Sequence, residues 1–196
     1  MTEQEVLKLV LAGDPRAIRS LVDHFQPMVL RTARGFLRNS DDARDVAQEV
    51  FIDIFTNIHR FQGQSRLSTW VYRIAVNRSL NYLRSNKKRL SNRSYSFENS
   101  ESGQEGTMNL SDPTQKNPAQ ILEQKEKSET LHAAIQSLPE KQRIAFTLAE
   151  YDDLSYKEIA EVMETSVSSV ESLIFRGRKK LQEKLWKVYR NLDRPT

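Results

Sequence analysis

Small hydroxyl and cationic side chains share one side of a helical pattern near the end of the chain. They are Ser168, Ser172, Arg176 and Lys179, with the aromatic Phe175 among them. Hydroxyl groups hydrogen-bond to base edges and phosphates, and cations neutralise phosphates, so this face suits the major groove of DNA. Taken alone, the pattern also fits an ordinary helical hairpin with a solvated charged face.

Two helices and a tight turn must position this face. Ser155 and Glu158 form an S-x-x-E capping box, which predicts where the first helix starts. The polar residues 164–166 predict a short turn. The second helix has an inward face of small and apolar residues at spacings of four, three and four, namely Val170, Ile174, Gly177 and Leu181. This arrangement predicts a helix-turn-helix.

A second candidate binding face lies on a helix predicted from Ser68 to about Arg84. One stripe of this helix carries Trp70, Arg73, Asn77, Asn81 and Arg84. An aromatic ring with arginines and asparagines can stack an unpaired base, bond its edges and hold phosphates. From periodicity alone, a solvated helix with Trp70 partly in the core is an equal alternative. The loop at 61–67 and the cations at 87–89 make single-stranded DNA binding the better interpretation.

Capping signals and apolar spacing predict the other helices. Asp14 and the proline after it open one helix, although Pro27 should bend or break it. Ser40 is predicted to cap the next helix, whose first two acids favour the positive end of its dipole. The apolar side of that helix consists of Val46, Ala47, Val50, Phe51, Ile54, Phe55 and Ile58. Ser137 and Glu140 predict a second capping box further on.

The chain changes character between these helices and the helix-turn-helix. Polar residues dominate 85–120, and helical periodicity resumes at Ile121. Such a composition predicts a flexible tether. We therefore predict an all-α protein in which two small helical domains, at 1–90 and 121–196, are joined by a flexible polar linker at 91–120. The C-terminal domain is the helix-turn-helix.

Composition argues against several kinds of site. None of the 196 residues is cysteine, so disulfides, thiolate metal sites and cysteine nucleophiles are excluded. The three histidines are widely separated and no glycine-rich phosphate loop is present, so no metal, cofactor or small-molecule substrate is expected. We find no signal-peptide pattern and no apolar run of membrane-span length, and so expect a cytoplasmic protein without membrane insertion.

The net charge of +4 is unevenly placed. Residues 1–90 contain 15 Lys/Arg and 9 Asp/Glu, and residues 174–196 contain eight cations and two acids. Two separate basic patches suggest two contacts on one polyanion.

Three blocks of this sequence resemble the extracytoplasmic-function (ECF) class of bacterial sigma factors. They read DDARDVAQEVF at 41–51, FQGQSRLSTWVYRIAVN at 61–77 and LPEKQRIAF at 138–146, before the predicted helix-turn-helix. The resemblance covers nearly everything outside the linker, and the three blocks in this order are highly specific. It implies a non-enzymatic initiation factor that binds core RNA polymerase, directs it to −10 and −35 promoter elements and nucleates DNA melting.

The resemblance also implies roles for particular side chains. The helix at 41–60 would dock on a coiled coil of the largest polymerase subunit through Asp45, Gln48, Glu49 and Asp53. The −10 element would be melted and bound by Phe61, Gln62, Ser65, Arg66, Trp70, Arg73, Asn77, Asn81 and Arg84. The −35 duplex would be read by Ser168, Ser169, Glu171, Ser172, Phe175, Arg176 and Lys179. An anti-sigma factor is a further implied partner.

Glu171 departs from the pattern of the family, because many relatives carry a basic residue there. A carboxylate repels phosphate and reads bases only as an acceptor, preferring cytosine N4. Glu171 is alternatively expected to pair with nearby cations such as Lys179.

Two other functions stay open at the level of the residues. An autonomous helix-turn-helix regulator would show a dimerisation surface or a ligand pocket and would not need the dock at 41–60. A helical adaptor that binds only protein would leave both basic faces merely solvated.

Overall fold

The computed structural model describes residues 3–93 and 118–192, in which all regular structure is helical. The elements are α1 (Glu3–Leu11), α2 (Pro15–Phe36), α3 (Ser40–Asn57), a 3-10 turn (Ile58–Arg60), α4 (Leu67–Arg93), α5 (Pro118–Gln136), α6 (Glu140–Glu150), α7 (Tyr156–Met163) and α8 (Val167–Leu192). The prediction of an all-α fold is confirmed.

The helices form two compact units, the first mainly α1–α4 and the second mainly α5–α8. Of the predicted linker at 91–120, residues 91–93 and 118–120 are helical, and 94–117 lie outside the described residues. The domain boundaries therefore stay a prediction.

The first unit is built on α2, α3 and α4, each of which packs against the other two. Its fully buried side chains include Val29, Phe36, Val46, Val50 and Val71. Ala47, Ile54 and Ile58 are buried as well, as the apolar spacing predicted, whereas Phe51 and Phe55 of the same predicted side are half-buried.

The helix starts in the first unit were predicted with mixed success. Asp14 caps α2 as predicted, because its Oδ1 accepts the N–H of Arg16 at 2.7 Å. The cap of α3 is Asn39 rather than Ser40, since the Asn39 Oδ1 accepts the N–H of Asp41 at 2.8 Å. A side-chain amide oxygen serves as a cap as well as a hydroxyl does, and the sequence offered both.

Two helices are longer than local sequence signals indicated. Pro27 was expected to bend or break α2, and α2 is one helix over Pro15–Phe36, so Pro27 does not break it. One lost backbone hydrogen bond is offset there by burial of flanking residues such as Phe25 and Val29. α4 continues to Arg93 instead of ending near Arg84, because residues 85–93 are mostly polar but contain no glycine or proline.

The second unit packs α8 against α5 and α6. One core cluster joins Ala134, Ile135, Leu138 and Leu181, with Phe146, Tyr151 and Leu185 partly buried against it. Burial raises the pKa of Tyr151 above its ordinary value. The inward face predicted for α8 is confirmed, since Val170, Ile174, Gly177 and Leu181 are all buried.

Two capping boxes were predicted in the second unit, and one of them is present. The Ser155 N–H donates to Glu158 Oε2 at 3.0 Å, and the Glu158 N–H donates to Ser155 Oγ at 3.3 Å, which confirms the capping box of α7. The box predicted at Ser137 is wrong. Pro139 occupies the cap position of α6, and the Ser137 hydroxyl instead donates to the Ala134 carbonyl at 2.6 Å, at the end of α5.

Each unit has its own buried core, and this separation predicts a local response to a core mutation. Ile174→Ala should create a cavity that lowers local stability by about 2–5 kcal/mol. We expect faster amide exchange in α6–α8 and unchanged exchange in α2–α4, as measured by hydrogen–deuterium exchange mass spectrometry of the full chain. Val50→Ala is the matched control and should give the reverse pattern. Faster exchange in both units from either variant would contradict independent cores.

Candidate nucleic-acid interfaces

The outward face of α8 follows from the burial of its inward face. Ser168, Ser172, Arg176 and Lys179 are exposed, and Phe175 is 69% exposed. Ser169 differs, because it is partly buried and its N–H donates to Ser166 Oγ at 3.2 Å. Ser169 therefore takes part in the start of α8 as well as lying next to the exposed face.

Two arginines of α8 have different surroundings although both are exposed. Arg178 reaches α6, where its Nη2 donates to Glu150 Oε1 at 2.6 Å. That hydrogen bond raises the pKa of Arg178. Arg176 stays on its own helix, with its Nε donating to the Ser172 carbonyl at 3.0 Å. Arg176 is thus available on the outward face, whereas Arg178 ties α8 to α6.

Glu171 is exposed on α8 and makes no ion pair within the described part of the chain. The expected pair with Lys179 is therefore wrong. Eight residues of α-helix separate the two Cα atoms by about 12 Å, whereas the side chains that pair on a helix surface are three or four residues apart. The carboxylate points to solvent beside the hydroxyls of the same face.

The turn before α8 uses a strained backbone. Glu164 has φ of 51°, in the left-handed region, and it stands in the polar segment that the sequence predicted as the turn. Ser166 then provides the hydroxyl that accepts the N–H of Ser169. The short turn predicted for residues 164–166 is therefore confirmed, and local hydrogen bonds hold it.

The second face combines α4 with the loop before it. The rings of Phe61 and Trp70 lie with centroids 5.5 Å apart and planes tilted by 50°. Both side chains are half-buried, so Trp70 both packs and faces outward. Tyr72, Val76 and Leu80 are buried on the opposite side of α4.

The loop is organised by short local bonds. Gly63 has φ of 69°, and the Gln64 side-chain amide donates to Gln62 Oε1 at 2.8 Å. The Ser65 hydroxyl donates to the Arg66 carbonyl at 3.3 Å. Gln62 and Arg66 are exposed, so the loop presents polar groups next to the Phe61–Trp70 pair.

The stripe on α4 opens onto a groove between α3 and α4. Asn77 and Asn81 are exposed, and Arg84 Nη1 donates to Asn81 Oδ1 at 3.2 Å. Arg73 lies on the same stripe. The groove has a volume of about 450 Å³ and is lined by Asp53, Asn57, Trp70, Ile74, Asn77, Arg78 and Asn81. Its amides, indole and guanidinium are groups that bond to and stack on unpaired bases.

The polar side of α3 differs from its prediction at one acid. Asp45, Gln48 and Glu49 are exposed. Asp53 is instead engaged within the unit, because Arg78 Nε donates to its Oδ2 and Nη2 to its Oδ1. The nearby Glu49 Oε2 lies 3.6 Å from Arg78 Nη1. The hydrogen bond to Asp53 raises the pKa of Arg78.

Two residues of this region were missed by sequence reasoning. The bonding of Arg78 to α3 could not be predicted, because helical periodicity gives no information about a partner on another helix. Ile52 gave a signal, because it is an apolar residue at a position that helical spacing assigns to the polar side. It is 64% exposed among the acids of α3.

The described residues contain no group of His, Asp and Glu suited to hold a metal ion. Among the helices described, none has the length and apolar character needed to cross a membrane.

Comparison with known families decides the class of this protein. Residues 21–89 match the family model of Sigma-70 region 2, and residues 128–181 match that of Sigma-70, region 4. The chain is 36% identical to the RNA polymerase sigma-H factor of Pseudomonas aeruginosa over 188 residues, covering 96% of both. It is also 36% identical over 193 residues to the ECF RNA polymerase sigma-E factor of Escherichia coli strain K12, covering 97% of both. The chain belongs to the ECF-type RNA polymerase sigma factors.

Solved structures show the same fold. CnrH in complex with the cytosolic domain of CnrY has a TM-score of 0.61 at 23% identity, covering 93% of this chain and 96% of that one. The sigma factor RpoE of Bartonella quintana, bound to the anti-sigma factor NepR, has a TM-score of 0.58 at 20% identity, covering 90% and 98%.

Family membership confirms the predicted function. This sigma factor directs RNA polymerase to promoters, and it is not an enzyme. Neither an autonomous regulator nor a protein-only adaptor accounts for both family regions in one chain.

The positive φ of Gly63 predicts a backbone penalty for other residues. No atom lies within 4 Å of a Cβ added there, so strain in the backbone is the whole effect. We expect Gly63→Ala to lower the free energy of unfolding of the first unit by about 1 kcal/mol. Urea unfolding followed by Trp70 fluorescence, in a Trp186→Phe background, measures it. Gly63→Asn should cost less because asparagine tolerates positive φ, and equal losses would count against this explanation.

Proposed function

We propose that this sigma factor divides promoter engagement among three surfaces. The polar side of α3 docks on core RNA polymerase, the loop and α4 stripe melt and bind the −10 element, and the outward face of α8 reads the −35 duplex. The observation that carries this assignment is the separation of faces. α4 and α8 each bury one side in a core and expose a side with nucleic-acid-binding chemistry.

Docking through α3 is supported by charge and by one apolar residue. Asp45 and Glu49 are exposed acceptors suited to an arginine-rich coiled coil on the largest subunit. Ile52 lies on the same side and is exposed, so it offers an apolar centre surrounded by polar groups. Asp53 is less available to polymerase than Asp45 and Glu49, because its carboxylate is already bonded to Arg78.

Binding of the −10 strand is supported by the contents of the groove. The indole of Trp70 offers a stacking surface, and the amides of Asn77 and Asn81 offer donors and acceptors for base edges. We place one flipped base against the loop, close to the Phe61–Trp70 pair and to Asn77. Arg66, Arg73 and Arg84 provide cations for the phosphates.

Reading of the −35 duplex is assigned to α8. Its exposed hydroxyls, Arg176 and Lys179 lie on one side of a helix whose other side is fixed in the core. Glu171 stands free among them, so its carboxylate favours cytosine N4 at the base it faces.

We place the action of this factor in the cytoplasm, and we propose an anti-sigma factor as a further partner. The support is that a protein of the same fold, the RpoE of Bartonella quintana, was solved in complex with an anti-sigma factor.

One experiment tests the whole assignment. A randomised duplex pool is incubated with core polymerase alone, with this chain alone and with both proteins, and bound DNA is sequenced. We expect a two-element promoter to be enriched only with the sigma factor, and run-off transcription from it to require both proteins. Enrichment of a single −35-like element by the chain without polymerase would contradict the proposal.

The docking surface predicts a selective loss of polymerase binding. Asp45→Arg with Glu49→Arg should weaken binding to core polymerase by at least about tenfold, because charges that attract arginines become repulsive. Ile52→Glu should also weaken it through loss of the apolar contact. Affinity is measured by fluorescence titration of labelled factor, with circular dichroism as the check on folding. Asp23→Arg, at an exposed site on α2, is the control, and undiminished binding by the double variant would remove the docking assignment.

Arg176 and Arg178 of α8 are predicted to affect DNA binding differently. Arg176→Ala should weaken binding of the holoenzyme to the selected promoter and reduce the salt slope by about 1, because one phosphate contact is lost. Arg178→Ala removes the same charge, but it should mainly lower thermal stability since its partner is Glu150. A salt series by fluorescence anisotropy distinguishes the two. Identical salt slopes for wild type and Arg176→Ala would show that the wrong face was assigned.

A further inference from the structure

Arg78 stands where the proposed polymerase dock meets the proposed −10 surface. It follows Asn77 on α4 and lines the same groove as Trp70 and Asn81. Its guanidinium nevertheless turns to α3, where it holds Asp53 with two hydrogen bonds and approaches Glu49. One cation is thus shared between a groove that suits DNA and carboxylates that suit polymerase.

We propose that Arg78 is a DNA-contacting residue that Asp53 and Glu49 hold in the free protein and release when polymerase engages those carboxylates. The released guanidinium then binds a phosphate of the −10 strand. This inference rests on the proposed docking of α3, and it adds a residue and a coupling that docking alone does not require.

In the free protein, the charges around Arg78 disfavour DNA binding there. Two carboxylates surround one guanidinium, so the local net charge is negative and repels a phosphate. The Arg78 side chain is 38% exposed, and those of Asp53 and Glu49 are 22% and 54% exposed. Solvent screens the single contact with Glu49, and arginines of a partner can offer Asp53 the same bidentate bonding that Arg78 gives it, so these carboxylates can exchange one guanidinium for another.

Docking changes this balance. Arginines of a partner that bind Glu49 and Asp53 neutralise both carboxylates, and they leave Arg78 without its acceptors. A guanidinium favours bidentate bonding to phosphate, and here it lies in the groove that already contains Asn77 and Asn81. Polymerase binding would therefore increase the positive charge that the −10 surface presents to DNA.

A permanent brace between α3 and α4 is the competing explanation, and it predicts opposite results. If Arg78 only joins the helices, then removal of the Asp53 charge should loosen the unit and leave DNA binding unchanged or weaker. If Asp53 restrains Arg78, removal of that charge should strengthen DNA binding by the free protein.

The first measurement uses the free full-length protein and the fluorescein-labelled non-template −10 strand of the selected promoter. Asp53→Asn should tighten binding about fivefold by anisotropy, and the double variant Asp53→Asn with Arg78→Gln should return to the wild-type value. Asp23→Asn, which removes the same charge from α2, is the control and should have no such effect. Glu49→Gln, at a more exposed site, should tighten binding about twofold, and it gives an independent test if Asp53→Asn fails to fold.

The second measurement uses saturating core polymerase, so that differences in docking affinity do not contribute. Arg78→Gln should weaken promoter binding by the holoenzyme about fivefold and reduce its salt slope by about 1, whereas Arg34→Gln on α2 should do neither. Asp53→Asn should give no gain in the holoenzyme, because polymerase has already released Arg78.

The outcomes separate this inference from the docking proposal. The inference is overturned if Asp53→Asn and Glu49→Gln leave binding by the free protein unchanged, or if Arg78→Gln leaves the holoenzyme unaffected. Normal polymerase binding by the Asp45→Arg, Glu49→Arg variant would instead overturn the docking of α3. In that case polymerase is not the trigger, and a gain from Asp53→Asn would show only that Arg78 is restrained.

Discussion

Burial of one stripe on α4 and one on α8 is the constraint on which the rest of the molecule depends. Tyr72, Val76 and Leu80 fix the rotation of α4, and Val170, Ile174 and Leu181 fix that of α8. Once these side chains are buried in the core, helix geometry determines which residues face outward. The family's division into a region 2 and a region 4 is thus physically a pair of amphipathic helices, each held by its own small core.

Packing determines which surfaces are exposed, and the charge of each surface then determines which partner it can bind. Acids gather on the outward side of α3, whereas cations and amides gather on α4 and α8. The boundary between the two kinds of surface runs through the Asp53–Arg78 pair. A protein that must bind both a basic polypeptide and a polyanion needs such a boundary, because either partner is repelled by the surface meant for the other.

How well the sequence predicted a feature depended on how far apart along the chain the interacting residues lie. The α7 capping box and the inward face of α8 involve residues three or four apart, so spacing revealed them. Competition between neighbouring caps was harder, since Asn39 and Ser40 both qualify for α3. The Asp53–Arg78 pair joins residues 25 positions apart on two helices, and only the folded arrangement shows it. The continuity of α2 through Pro27 and the length of α4 were not predicted, because tertiary packing and the absence of glycine outweighed local signals.

The division of α8 into a buried and an exposed side has a consequence for how this protein changes over evolutionary time. Substitutions on the exposed side leave the core intact, and such changes generally alter stability by no more than about 0.5 kcal/mol. Selection can therefore replace Ser168, Glu171 or Ser172 one at a time without loss of the folded state. A duplicated gene for such a chain is free to acquire a new set of target promoters while keeping its scaffold.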